Sequence, residues 1–228
     1  MCGRYTLTSP GEVVAEVFEL VDVPPILPRY NLAPTQEAAV VRVVAPGAPR
    51  RLDPLRWGLI PYWAQDPAIG NHMINARADT VADKPAYRDS FRRRRCLVPA
   101  DGFFEWKKVA PKVKQPYLIR RQGRLPFAFA GLWSSWHGPG AARPLETFTI
   151  LTTSPNDLVR PLHDRMPVVL DRRDFAAWLD PANRDAARLQ ALLGPAPAAG
   201  WEAVQVSRAV NDPANDTQEC IEPLLAEG

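Results

Sequence analysis

Arg95-Cys96-Leu97-Val98-Pro99-Ala100-Asp101-Gly102-Phe103-Phe104-Glu105-Trp106 lies near the middle of the 228-residue chain. An apolar run reaches Pro99, Asp101-Gly102 signals a tight turn, and a second strand begins at Phe103. Similar β-type signals extend outward. Runs over 37–44, 147–153, 168–170 and 201–206 read as strands, and 117–119 with 126–133 as a hairpin around Gln122-Gly123. Helical signals are fewer. Ser9-Pro10-Gly11-Glu12 reads as a capped helix start, with Val13, Val14, Val17 and Phe18 on one face and Pro24, Pro25 and Pro28 ending it. A short amphipathic helix is expected over 84–95, and two more over 171–179 and 181–193 with Asp171 and Asp180 as N-caps. Residues 210–228 read as a C-terminal tail.

The chain is 46% hydrophobic, which suits one compact domain spanning 1–228. No apolar run approaches the ~20 residues of a membrane helix, and no charged-then-apolar leader stands at the start. A soluble, cytoplasmic protein is expected, nucleoid-associated if bacterial. Cys2, Cys96 and Cys220 are odd in number and widely spaced, which fits neither a disulfide framework nor a zinc site. No metal or cofactor is expected. A reducing compartment would keep the Cys2 thiol free. Net charge is +3, and Arg92 to Arg95 run together. That is a weak nucleic-acid signal, since a solvated helix face gives the same pattern.

Candidate chemistry gathers at a few positions. Cys2 follows Met1 directly, and its small side chain makes Met1 easy to remove. A terminal cysteine then offers an α-amine titrating near ~8 and a thiol near ~8.5. Such a 1,2-aminothiol condenses with an aldehyde to an imine, which sulfur closes to a thiazolidine. On its own, a cysteine at a frayed terminus needs no function. Glu105 sits among aromatics, where burial would raise its pKa and suit it to proton transfer; an outward-facing glutamate is the alternative. Asn75, Arg77 and Asp79 would share one strand face, as a polar site or a plain exposed face. His72 has the opposite parity and is not favoured. His163, bracketed by Asp164, is an acid/base candidate or a structural histidine. In Trp57-Gly58-Leu59-Ile60-Pro61-Tyr62-Trp63, core is expected for Trp57. Tyr62 and Trp63 suit either the core or a ledge for unpaired bases, worth ~1–3 kcal/mol each.

Several ordered stretches together resemble one known family. They are Met1-Cys2-Gly3-Arg4-Tyr5, Tyr30-Asn31-Leu32-Ala33-Pro34, Trp57-Gly58-Leu59-Ile60-Pro61, Ile74-Asn75-Ala76-Arg77-Ala78-Asp79, Arg95 to Trp106, Thr152-Thr153, His163-Asp164-Arg165-Met166-Pro167 and Val206-Ser207. The set is similar to the SRAP family, the SOS-response-associated peptidase or abasic-site-processing proteins. Asp79 replaces the glutamate usual there, and the match weakens after Ser207. The resemblance implies an α+β single domain with a mainly antiparallel, barrel-like β core and flanking helices. It implies a monomer that binds single-stranded DNA at abasic sites and forms a covalent thiazolidine link through Cys2 after Met1 removal, with an AP-lyase-type activity alongside. It implies catalytic roles for Cys2, Asn75, Glu105 and His163, and DNA contacts by Arg4, Pro34, Trp63 and Arg77. The competing reading is a peptidase with Cys2 as nucleophile, acting on Met1 and on other substrates.

Overall fold

The computed structural model describes residues 2–22, 26–139 and 142–224. Thirteen strands are found among them: β1 (Tyr5–Leu7), β2 (Arg29–Leu32), β3 (Glu37–Arg42), β4 (Arg51–Trp57), β5 (Asn75–Arg77), β6 (Arg95–Ala100), β7 (Gly102–Ala110), β8 (Val113–Arg121), β9 (Phe127–Trp136), β10 (Leu145–Thr153), β11 (Met166–Pro167), β12 (Val169–Leu170) and β13 (Trp201–Gln205). The helices are short: α1 (Gly11–Phe18), α2 (Arg88–Arg93), α3 (Phe175–Leu179) and α4 (Ala186–Gln190).

Five strands close into a barrel in the order β4-β3-β6-β9-β10, and β10 returns to pair with β4. That last contact is parallel; the other four are antiparallel. Closure leaves none of these five strands with a free edge along the barrel wall. Val40, Leu97, Phe129, Leu132 and Phe148 are fully buried in the core, and Trp57 stacks on Phe148 at 6.2 Å. A second sheet has the order β13-β8-β7-β1-β2, antiparallel throughout. The α+β, mainly antiparallel barrel architecture expected from the family resemblance is the one observed.

The sheets meet at Asp101, where β6 of the barrel becomes β7 of the second sheet. The expected tight turn is a corner: β6 and β7 never pair, because Asp101 sends the chain from one layer to the other. β8 runs close to Gly102: a Cβ there would lie 2.7 Å from Leu118 Cδ1 and 3.1 Å from Ile119 O. The Asp101 carboxylate holds the start of the chain, accepting hydrogen bonds from the backbone and hydroxyl of both Thr8 and Ser9. Ser9 is thereby taken away from helix capping; α1 begins after Pro10 with no side-chain cap. The helix stops at Phe18 with Glu19 in a left-handed conformation, and Pro24 and Pro25 lie outside the described residues.

Other expectations change for similar topological reasons. Gln122-Gly123 joins β8 of the second sheet to β9 of the barrel and is not a hairpin; the true partner of β8 is β7. The 84–95 helix shortens to α2, and the arginine run divides. Arg92 and Arg93 are exposed, whereas Arg95 is buried in β6. Its guanidinium donates to the carbonyls of Phe91, Trp178, Asp180 and Asn183. The two later helices shorten to α3 and α4; neither Asp171 nor Asp180 caps them, and α4 is capped by Asp185.

The expected tail is packed as far as residue 224. Cys220 and Val210 are fully buried, and Val206 bridges Pro223. Asp216 accepts from the Tyr30 and Asn31 amides and pairs with Arg29.

Asp101→Ala should lower stability by about 2–4 kcal/mol, because two backbone donors lose their acceptor near the sheet junction. Urea unfolding checks this; a midpoint equal to wild type would show that the corner holds without its carboxylate.

Candidate active site at the N-terminal strand

β1 is an interior strand, with Tyr5 facing Leu32 on β2 and Phe103 on β7. Phe104 N donates to Arg4 O at 3.0 Å and so extends the β7 contact toward Cys2. The Cys2 side chain has no solvent exposure. Burial, then the negative field of Glu105, raises its thiol well above the ordinary range. The thiol is therefore neutral at physiological pH. Met1 lies outside the described residues.

Glu105 stands on β7 between Phe104 and Trp106 and is 2% exposed. Burial pushes its carboxyl up to about 7; Asp164 adds to the rise, while Lys114 opposes it. A carboxyl poised there both gives and takes protons at neutral pH. His163 is half-buried in the loop before β11. Burial lowers its pKa, so the ring is neutral near pH 7. Its Nδ1 accepts from the Arg165 amide at 3.0 Å, which puts the neutral ring's proton on Nε2. Asp164 Oδ1, 2.9 Å from the same Nδ1, favours only the protonated form. Glu105 and His163 thus share the fields of Asp164 and Lys114.

β5 brings Asn75 and Arg77 alongside the end of β10, with Asn75 opposite Ile150 and Arg77 opposite Thr152. Both polar atoms of the Asn75 amide are buried and have no hydrogen-bond partner among the described residues. A buried amide left unsatisfied is costly. Arg77 is exposed and forks onto Asp79 through Nε–Oδ1 at 3.1 Å and Nη2–Oδ2 at 2.7 Å. Asp79 also lies 3.9 Å from Arg165, whose Nη2 donates to Thr152 O at 2.6 Å. The end of β5 and the His163 loop are therefore one local unit.

Trp63 is 48% exposed and Tyr62 60% exposed. They sit on a turn closed by Ala64 N to Pro61 O, and Trp136 Nε1 donates to Ala64 O at 2.7 Å. The loop carrying them leaves and rejoins the barrel where Gly58 and Gly70 cross. A Cβ on Gly58 would lie 2.4 Å from Gly70 O. Pro34 is half-buried in a turn whose next residue, Thr35, has φ +72° and donates its amide to Trp57 O. Trp57 itself is core, as expected.

Arg4 does not join the exposed cations. Its Nη1 donates to Asn31 Oδ1 at 2.9 Å and Val210 O at 2.7 Å, and Nη2 to Asn211 O at 3.4 Å. It is half-buried and braces the first residues against the C-terminal segment. Two further groups near the site escape sequence reasoning. Tyr5 OH is buried and has no hydrogen-bond partner among the described residues, and burial, then the field of Cys2, raises its pKa; Arg165 joins the β5 and His163 elements. Both lie within the family-like stretches, but only the strand register shows where they point. Among the described residues no group of three or more His, Cys, Asp or Glu could hold a metal, and no helix is long and apolar enough to cross a membrane.

Comparison with known proteins places this geometry. The family described as SOS response associated peptidase (SRAP) matches residues 1–213. The chain is 46% identical over 225 residues to Abasic site processing protein YoqW of Bacillus subtilis, covering 97% of this chain and 99% of that one. It is 32% identical to Abasic site processing protein YedK of Escherichia coli, covering 98% and 100%. A crystal structure of a protein from Bacteroides thetaiotaomicron superposes with TM-score 0.87 at 24% identity, over 98% of this chain and all of that one, a likeness of fold. The chain belongs to the SOS response associated peptidase family.

Proposed function

We propose that this protein processes abasic sites in single-stranded DNA, capturing the ring-opened sugar aldehyde as a thiazolidine on Cys2 once Met1 has been removed. The observation that carries the reading is the burial of the Cys2 thiol in the field of a carboxyl that titrates at about 7. Two relatives bear names that state abasic site processing. The DNA is the only partner the reaction requires, and a monomer carries the whole site.

The chemistry follows from the two nucleophiles and Glu105. The Cys2 amine adds to the aldehyde carbon to give a carbinolamine. Glu105, as the acid, protonates the departing hydroxyl, and water leaves an imine. Sulfur then adds to the imine carbon, its proton passes to Glu105, and the ring nitrogen takes up a proton to complete the thiazolidine. A buried, neutral thiol favours this order, with nitrogen first and sulfur last. Removal of Met1 is one peptide hydrolysis and draws on the same proton shuttle. Asn75 supplies an unsatisfied amide to the incoming sugar or the terminal amine. The neutral His163 assists as acid/base at the adjoining phosphate. Arg77 is the exposed guanidinium suited to phosphate oxygens, and Trp63 with Pro34 forms the apolar ledge beside the lesion.

Cys2→Ala keeps the amine and loses sulfur. With Met1 removed, it should give an imine that borohydride traps, that hydrolyses untrapped and that permits β-elimination of the strand. Wild type should give a heat-stable adduct without reductant. Denaturing gels of labelled abasic single strands read both, and a heat-stable Cys2→Ala adduct without reductant would sink the thiazolidine.

Glu105→Gln should slow crosslinking by ~10²–10⁴. It should also stabilise the fold at high pH. The folded carboxyl holds its proton up to about 7, against 4.5 ordinarily. The native state therefore binds the proton more tightly than the unfolded chain, and wild-type stability falls as pH rises between those values. The variant escapes that loss, so it should exceed wild type at pH 8 by on the order of 3 kcal/mol and match it near pH 4. Thermal unfolding across pH measures the difference. Equal stability at both pH values would mean Glu105 ionises without cost.

A further inference from the structure

Trp136 ends β9 and takes no part in the chemistry above. Its buried ring packs with Ile60, Ala64 and Ile69 in a small cluster of their own. The Gly138 backbone lies against the six-membered ring, where a Cβ would collide with Cη2 and Cζ3. The indole N–H reaches across 72 residues of sequence to donate to Ala64 O at 2.7 Å. Ala64 directly follows Trp63.

The loop held in this way, 58–73, is pinned at several further points. Ile60 N donates to Thr147 Oγ1 on β10 at 2.9 Å, and Leu59 N to Met73 O at 3.1 Å. Arg56 Nη2 donates to Asn71 Oδ1 at 2.8 Å, and Asp66 accepts from Ala68 N at 2.8 Å. Trp57 Nε1 donates to Ile74 O at 2.9 Å, which fixes the chain one residue before Asn75.

Connecting loops are ordinarily mobile, with small and polar tips. This one carries two large rings, Tyr62 and Trp63, and exposes both. A slack loop would turn such rings onto apolar surface. Hydrogen bonds from β9 and β10 hold this loop in one shape with its rings in water. Rings fixed beforehand lose little freedom when a base stacks on them.

We propose that Trp136 and Thr147, near the ends of β9 and β10, are positioning residues for the stacking ledge, and that the Trp136–Ala64 hydrogen bond sets where Trp63 stands. This rests on the function proposed above, in which Trp63 flanks the lesion. Neither residue touches the DNA; each acts through the 58–73 loop.

Trp136→Phe keeps an aromatic ring in the cluster and deletes the donor. Thr147→Val keeps the side-chain shape and deletes the acceptor of Ile60 N. Each is made alone and together with Trp63→Ala. The probe is a single-stranded oligonucleotide with a tetrahydrofuran site, which has no aldehyde and reports binding without reaction. Trp136→Phe should bind it about fivefold to tenfold more weakly, a part of what one stacked base contributes, and Thr147→Val should weaken binding in the same direction. The slope of log affinity against log salt should equal that of wild type, because no phosphate contact is lost. Added to Trp63→Ala, neither change should weaken binding further, since the ring they position is already gone. On an aldehyde-bearing strand, Trp136→Phe should raise the strand concentration that half-saturates crosslinking and leave the rate at saturation within about twofold of wild type.

Trp136→Phe that binds like wild type would overturn the proposal. An equal further loss in the Trp63→Ala background would also overturn it, since Trp136 would then act through the fold at large. If Trp136→Phe does not fold, Thr147→Val with and without Trp63→Ala decides by the same criteria. If Trp63→Ala itself binds like wild type, there is no ledge at Trp63 and the proposal falls with it. Wild type that shows the coupling but never crosslinks the aldehyde strand would remove the covalent reading and leave the positioning role standing.

Discussion

The hydrogen bonding of β1 between β7 and β2 is the contact on which the rest of this architecture turns. A chain terminus is ordinarily frayed, and a nucleophile on a frayed terminus has no fixed geometry. Here Tyr5–Leu7 is buried in the middle of a sheet, and the Asp101 carboxylate fixes the two residues that follow. Because Asp101 is also the corner where the barrel passes into the second sheet, the position of Cys2 is set by the junction of the two layers. The cost of that burial appears in the pKa values. Both the Cys2 thiol and the Glu105 carboxyl are pushed toward their neutral forms. A protein selected only for stability would not keep an ionisable pair in such a place.

Much of this was legible in the sequence, and the parts that were not share a cause. Strand positions follow from composition and alternation, so β3, β10 and β13 lie where the apolar runs are. Pairing partners do not. Asp101-Gly102 and Gln122-Gly123 have the residues of hairpin turns, yet both connect different sheets, because a turn signal says that the chain changes direction and not which layer receives it. The unrecognised hairpin, β7 to β8, turns at Pro111-Lys112 with a lysine in the left-handed region, where no glycine or asparagine announces it.

The site residues divide in the same way. Glu105 among aromatics was a readable sign of a desolvated carboxyl. That Arg4 braces the C-terminal segment was not, because its acceptors there, on Val210 and Asn211, lie more than two hundred residues away and are backbone carbonyls. Carbonyls leave no mark in a sequence. Asp216 was likewise passed over as tail, though its carboxylate holds the start of β2. Arg95 shows the reverse error: a cation inside a basic run that is wholly internal, since four carbonyls replace the water it gives up.

The brace between Arg4 and the 210–216 segment has a consequence for how the protein is made. Early residues of the chain are held by late ones, across a sequence separation of 206 residues. Contacts of such range close late, because the intervening loop entropy is overcome only when the rest of the chain is in place. Until β1 is inserted between β2 and β7, the Cys2 thiol is in water, with an ordinary acidity and open to electrophiles. Its burial, and with it the raised pKa of the thiol, comes with that insertion. The partly folded chain is therefore the form in which this cysteine is most exposed to oxidation.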